Sequence, residues 1–213
     1  MTNYDELTTL FNQAPRYDFR YQEEDIDENG IYVMFEKSEK HLNIDRIVRI
    51  GSHTGINRLR KRINEHYIGA DHRDSIFRKH IGRSLLSIDK HIEYIKIWDL
   101  RIKRKKDRLE NYHKIDWTLE RTYEKKITDY IRTNFTFIII PNLTETKGRI
   151  RLEKGLIATF AQNNKKIISE NWLGKHHPDA RINNSGLWNI RHLNDKLLTD
   201  EEVNIIKKKL IMD

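Results

Sequence analysis

The chain has 213 residues, a formal net charge of +8 and no cysteine, with 34% charged and 37% apolar residues. That length supports one sizeable core, and the basic balance, with a pI near 9.5, points to a polyanionic partner, nucleic acid first. The absence of cysteine excludes disulfides, thiolate zinc sites and a thiol nucleophile. No basic segment followed by an apolar core stands at the N-terminus, and the longest apolar run, Phe135 to Ile140, is far too short to span a membrane, so a soluble cytoplasmic protein is expected.

In chain order, Leu7, Leu10 and Phe11 mark a short helix, and the acidic patch from Glu23 to Glu28 reads as a solvated approach to a first strand. Gly30-Ile31-Tyr32-Val33-Met34-Phe35 and Ile47-Val48-Arg49-Ile50-Gly51 are rich in β-branched and aromatic residues and read as an antiparallel hairpin, with Glu36 to Asp45 as its loop. After Ser52-His53-Thr54-Gly55, the spacing of Ile56, Leu59, Ile63 and Tyr67 predicts a helix. Arg62 and His66 then stack at i and i+4, with Arg58 extending the row. Ile76, Phe77, Ile81 and Leu85 predict another helix, whose cations Arg73, Arg78, Lys79 and Arg83 suit either phosphate contacts or a solubilising face. A helical period from Ile88 to Ile102 runs into the densest positive charge of the chain, which includes Arg101, Lys103, Arg104, Lys105, Lys106 and Arg108. Trp117, Leu119, Tyr123, Ile127 and Ile131 mark a helix leading to the strand Phe135 to Ile140, and Leu152, Leu156, Ile157 and Phe160 form the apolar face of a later helix that also carries Glu153. His176-His177 reads as surface loop, and Thr199 opens a last short helix.

The order Gly30-Ile31-Tyr32, then Ile50-Gly51, Ser52-x-Thr54, Arg62, His66 and Glu153 resembles the GIY-YIG nuclease family. The first motif is literal, whereas the tyrosine of the second is replaced by Arg49. The C-terminal segments Ser169 to Gly174 and Ser185 to His192 resemble those of bacterial, restriction-type members. The expected fold is therefore α/β, a small three-stranded antiparallel sheet (Ile31 to Phe35, Ile47 to Ile50, Phe135 to Ile140) flanked by helices. A single domain over 1–213 would carry a helical insertion at about 85–133 and a C-terminal block at about 165–213. The insertion is a place for DNA specificity or a homodimer contact, with scaffolding as the plainer role.

The resemblance implies a divalent-metal-dependent endonuclease acting on DNA, of restriction type. Hydrolysis of a phosphodiester needs an activated water and relief of charge on the phosphate and leaving oxygens. The family's glutamate falls on Glu153 as ligand to Mg²⁺ or Mn²⁺, a hard ion that takes oxygen ligands and keeps several waters. Taken alone, Glu153 reads as an ordinary exposed first-turn glutamate favoured by the helix dipole, and only the other motifs in family order favour the metal. Arg62 offers bidentate donors to the attacked phosphate, Tyr32 a base or proton relay if nearby cations shift a phenol that ordinarily titrates near about 10, and His66 a proton acceptor or an orienting partner. Arg49 cannot act as a base but keeps a cation for phosphate, with His53 as a substitute hydrogen-bonding group. The family's asparagine is assigned to Asn171, with Asn163, Asn164 and Asn189 as competitors. Phosphate contacts are expected from Arg58, Arg73, Arg78, Lys79, Arg83, Arg101, Lys103, Arg104, Lys105 and Lys106. Arg49 also leaves open a catalytically silent nucleic-acid-binding protein.

Overall fold

A computed structural model describes residues 2–164 and 167–211. The expected C-terminal block therefore begins and ends outside the described residues. Three antiparallel strands, β1 (Ile31–His41), β2 (Ile44–Gly51) and β3 (Phe135–Ile140), lie in the order β2-β1-β3. The helices are α1 (Asn3–Gln13), α2 (Leu59–Tyr67), α3 (Ile76–Ile88), α4 (Ile95–Trp98), α5 (Lys105–Asn111), α6 (Trp117–Asn134), α7 (Thr146–Asn164), α8 (Ala180–Ser185) and α9 (Asp200–Ile211).

Strand alternation sorts the sheet's side chains into two cores, because successive residues point to opposite faces. Tyr32, Met34 and Val48 pack with Leu59, Ile63, Phe77, Ile81, Ile127 and Ile131 of α2, α3 and α6, joined by Trp172 and Trp188. Ile31, Val33, Phe35, Ile47 and Ile50 pack on the other face with α1, α7 and α9. Ile47 and Ile50 share that face although they are three apart. A bulge allows it: Met34 pairs with Arg49 and Phe35 with Ile47, so Val48 is the extra residue. Val48 and Arg49 are thereby both turned toward α2 and α3.

The segment expected to be a loop, Glu36 to Asp45, is a correction. It extends both strands and leaves a two-residue turn at Leu42 and Asn43, both at positive φ. Its charged residues hid the strand period because two of them, Glu36 and Glu39, face inward and are paired. Arg46 and Glu39 form a fully buried ion pair at 2.6 Å. Buried Glu36 accepts the indole N–H of Trp172 at 2.9 Å and of Trp188 at 3.1 Å, and the hydroxyl of Tyr130. These bonds lock the C-terminal segment and α6 onto the hairpin.

The helical period from Ile88 to Arg108 is likewise corrected: a 3₁₀ turn (Ile92–Tyr94), α4 and α5 replace one continuous helix. Helix α2 begins at Leu59 rather than Ile56, which is exposed, and Arg58 is its N-cap residue. Among the described residues no helix is long and apolar enough to cross a membrane.

Candidate active site

A cleft of about 630 Å³ opens where the ends of β1 and β2 meet α2, α7 and the C-terminal segment. Tyr32, Arg49, Arg62 and Glu153 all line it, together with Ser52, His53, Arg58, Lys61, Glu65, His80, Asn189 and Arg191. Each element supplies its group for a local reason. Gly51 pairs across the sheet with Tyr32, and any Cβ at Gly51 would collide with the Tyr32 hydroxyl, so the motif glycine makes room for the phenol.

Tyr32 projects from β1 into the space between α2 and β2, and its hydroxyl hydrogen-bonds His66 Nε2 at 2.9 Å. The other ring nitrogen of His66, Nδ1, lies 2.7 Å from Ser75 Oγ. His66 is therefore fully buried behind Tyr32 rather than in the cleft. Burial, followed by the charges of Arg62, Arg49 and Arg78, holds its imidazole well below the ordinary histidine range, so it is neutral.

Arg49 is 4% exposed, donates to the Trp188 carbonyl, and lies with its guanidinium 4.9 Å from the Phe77 ring centre and 6.0 Å from that of Tyr32. Burial lowers its pKa while the Tyr32 phenol and Glu153 act in the opposite direction. Arg62 is half-buried and bridges to Glu65 at 2.8 Å. Burial pulls Arg62 down, but the Tyr32 phenol and Glu65 outweigh it and the net shift is upward. Two cations thus bear on one phenol.

Glu153 sits on the second turn of α7 and is held from the opposite side of the cleft. Ser52 donates to its carboxylate twice, from the backbone N–H at 3.1 Å and from the hydroxyl. A carboxylate has about four lone-pair positions, so this clamp leaves acceptor capacity open toward the cleft. The donor set suits a hard divalent cation that keeps most of its waters. Arg149, one helical turn earlier and buried, donates to the carbonyls of Leu143 at 2.6 Å and Gly55 at 2.9 Å, which fixes the loop carrying Ser52 to Gly55. His53, in that loop, accepts the Gly30 N–H at 3.3 Å and is pushed down to about 4, chiefly by burial and then by Arg149.

Asn171 is exposed and lies outside this cleft, whereas its competitor Asn189 lines it. The Asn189 amide accepts the Ile50 N–H at 3.1 Å and donates to the Ile50 carbonyl at 2.9 Å, completing the free edge of β2. Asn164 is buried and donates to the Ile47 carbonyl at 2.9 Å. Asn163 bonds back within its own helix, donating to the Thr159 carbonyl at 2.7 Å.

The expected phosphate contacts divide sharply. Arg78 is corrected outright: it is fully buried and donates to the Glu124 carboxylate at 2.7 Å, Thr128 at 2.7 Å and the His66 carbonyl at 3.1 Å, tying α3 to α6 and α2. Arg73 is held by Glu120 at 2.8 Å, and Arg83 and Lys79 by Asp99 at 2.7 and 3.8 Å. Arg58 is exposed at the cleft mouth, and Arg101, Lys103, Arg104, Lys105 and Lys106 are exposed around the start of α5, with Lys103 bridging to Asp74. His177 is also corrected, from surface loop to buried: its Nε2 lies 3.0 Å from His80 Nδ1. Sequence reasoning passed over Ser75, Arg149, Glu65 and His80. Ser75 alone carried a signal, as a serine directly before an apolar helical run.

A three-stranded antiparallel sheet with the tyrosine on β1, the arginine on the following helix and the glutamate on the helix after β3 defines a GIY-YIG type of nuclease domain. A family model described as the GIY-YIG domain matches residues 2–210, and the chain belongs to that family. No curated protein and no solved structure matches the chain significantly.

Proposed function

We propose that this chain is a divalent-metal-dependent endonuclease that hydrolyses DNA phosphodiester bonds, of restriction type. The observation that carries this reading is the gathering of Tyr32, Arg49, Arg62 and Glu153 around one cleft, with His66 seated behind Tyr32. Glu153 would hold Mg²⁺ or Mn²⁺, which when bound supplies charge stabilisation at the phosphate and leaving oxygens. Ser52 keeps the carboxylate turned into the cleft. Arg62 has donors for a non-bridging phosphate oxygen, at the cost of loosening its bridge to Glu65. Arg49, anchored on the Trp188 carbonyl, adds a fixed positive charge beside the phenol. Tyr32, which lines the cleft between the two arginines, would move a proton between the attacking water and solvent. The C-terminal segment supplies Asn189, Arg191 and His192 to one wall, a setting for contacts that select a DNA sequence.

The test is incubation of the purified chain with supercoiled plasmid and Mg²⁺ or Mn²⁺. Nicked or linear product is expected, lost on chelation. Glu153→Gln should keep the melting temperature and DNA binding yet abolish cleavage, because a neutral amide of the same shape is a poor ligand for a hard cation. Unchanged nicking by Glu153→Gln would sink the metal assignment. Binding without cleavage by the parent, across varied DNA substrates, would favour the catalytically silent alternative that Arg49 leaves open.

A further inference from the structure

We propose that Ser75 is a positioning residue that fixes the proton of His66 on Nε2, so that His66 donates to the Tyr32 oxygen and does not accept the Tyr32 proton. The inference rests on the nuclease reading for its catalytic consequence and on a proton count for its geometry. Ser75 is fully buried and is the N-cap of α3, its Oγ accepting the Arg78 N–H at 3.2 Å. Its one further side-chain partner among the described residues is His66 Nδ1, at 2.7 Å.

A serine hydroxyl has one hydrogen to give. If His66 Nδ1 carried a proton and donated it to Ser75, the serine hydrogen would be buried with no acceptor, an arrangement that folded proteins avoid. With Ser75 donating to a bare Nδ1, the groups buried behind Tyr32 are satisfied, Arg78 N–H by Ser75 Oγ, Ser75 O–H by His66 Nδ1 and His66 Nε2–H by Tyr32 Oη, and the one hydrogen left over is on the Tyr32 hydroxyl, whose residue lines the cleft. The Phe77 ring, edge-on to His66 at 5.5 Å, and Tyr32 at 5.3 Å confine the imidazole between them. A neutral ring has only these two tautomers, and the buried position of His66 beside three arginines keeps it neutral.

The direction of this chain bears on the proposed chemistry. A Tyr32 hydroxyl that receives a hydrogen bond from His66 turns its own proton toward the cleft, where the water and phosphate would be. When that proton passes to solvent water at the cleft, the Nε2–H supports the charge left on the phenolic oxygen, which can then take the proton of the attacking water. The histidine is then a donor behind the tyrosine, and it collects no proton during the reaction.

The tautomer is read directly by long-range ¹H–¹⁵N correlation spectra of the full chain labelled with ¹⁵N-histidine. The parent should show His66 with a bare Nδ1 and a protonated Nε2. Ser75→Asp keeps a helix cap for the Arg78 N–H but has no proton to give, so it should leave Nδ1 protonated. With the fold retained by thermal melt, its single-turnover cleavage should fall by about a hundredfold or more. Ser75→Thr keeps both the cap and the hydroxyl and should keep the parent tautomer and most of the cleavage. A parent His66 protonated on Nδ1, or a folded Ser75→Asp variant that cleaves like the parent, would overturn the proposal. If the parent cleaves no DNA, the nuclease reading fails, and the spectrum still decides the direction of the hydrogen-bond chain.

Discussion

Arg49 is the residue on which the family pattern and this chain part. In a strand it would ordinarily be a solvated cation, yet the bulge at Val48 and the ring of Phe77 enclose it against Tyr32. It therefore acts twice, as a charge beside the phenol and as the donor that ties Trp188 to β2. Arg49→Lys keeps a charge but not the planar fork, and should retain the fold with cleavage reduced by roughly ten- to a hundredfold. Arg49→Tyr rebuilds the motif in letters while removing both the cation and the bond to the Trp188 carbonyl, and should be worse. Single-turnover cleavage of a mapped site, with thermal melts of each variant, separates these outcomes. If Arg49→Tyr equals the parent while Arg49→Lys is inactive, the electrostatic role given to Arg49 is wrong.

At the scale of elements, the cations of α3 and those around α5 are alike in sequence and opposite in structure. Arg78 knits three helices together, whereas Arg101, Arg104 and Lys105 stand in solvent with Lys103 and Lys106 in exposed surface bridges. Neutralising three of the exposed cations around α5 should weaken binding to unrelated DNA sequences. It should also lower the slope of log affinity against log salt by about three. Arg78→Ala should behave in the reverse sense, costing on the order of 3 kcal/mol of stability because Glu124 loses its buried partner, with no change of slope in whatever remains folded. Fluorescence anisotropy across a salt series, paired with urea unfolding, checks both. A slope untouched by the triple neutralisation would make the α5 region a solvated face only.

For the molecule as a whole, four histidines among the described residues are both buried and held below their ordinary range. His53 and His177 are pushed down to about 4 and His80 to about 2, each first by burial, and His66 lies well below 6.5 for the same reason. As pH falls below about 6.5 the unfolded chain protonates these rings and the folded chain does not, so the unfolded state binds more protons and stability drops. Glu36, raised by burial, works in the opposite direction, as one group against four. The melting temperature should therefore fall steadily between about pH 7 and about pH 5, ahead of most carboxylate titration. A melting temperature that stays flat across that interval would show that the buried imidazoles do not govern acid stability.

What the sequence by itself determined was the class of fold and most of the cleft. The strands around Tyr32, Arg49 and Phe137 and the helices carrying Arg62 and Glu153 follow from local periodicity, and local periodicity is written in neighbouring residues. Charge in a strand was illegible for the converse reason. Glu36, Glu39 and Arg46 look like loop residues until Trp172, Trp188, Tyr130 and Ser169 arrive from distant parts of the chain to satisfy them. The same holds for Arg78, whose partners lie on α2 and α6, and for the choice between Asn171 and Asn189, which turns on which segment reaches the edge of β2. Tertiary structure alone decided which polar groups are buried and paired and which face the cleft. Burial makes an unpaired charge costly, and the partners that relieve that cost are brought together only when the chain closes on itself.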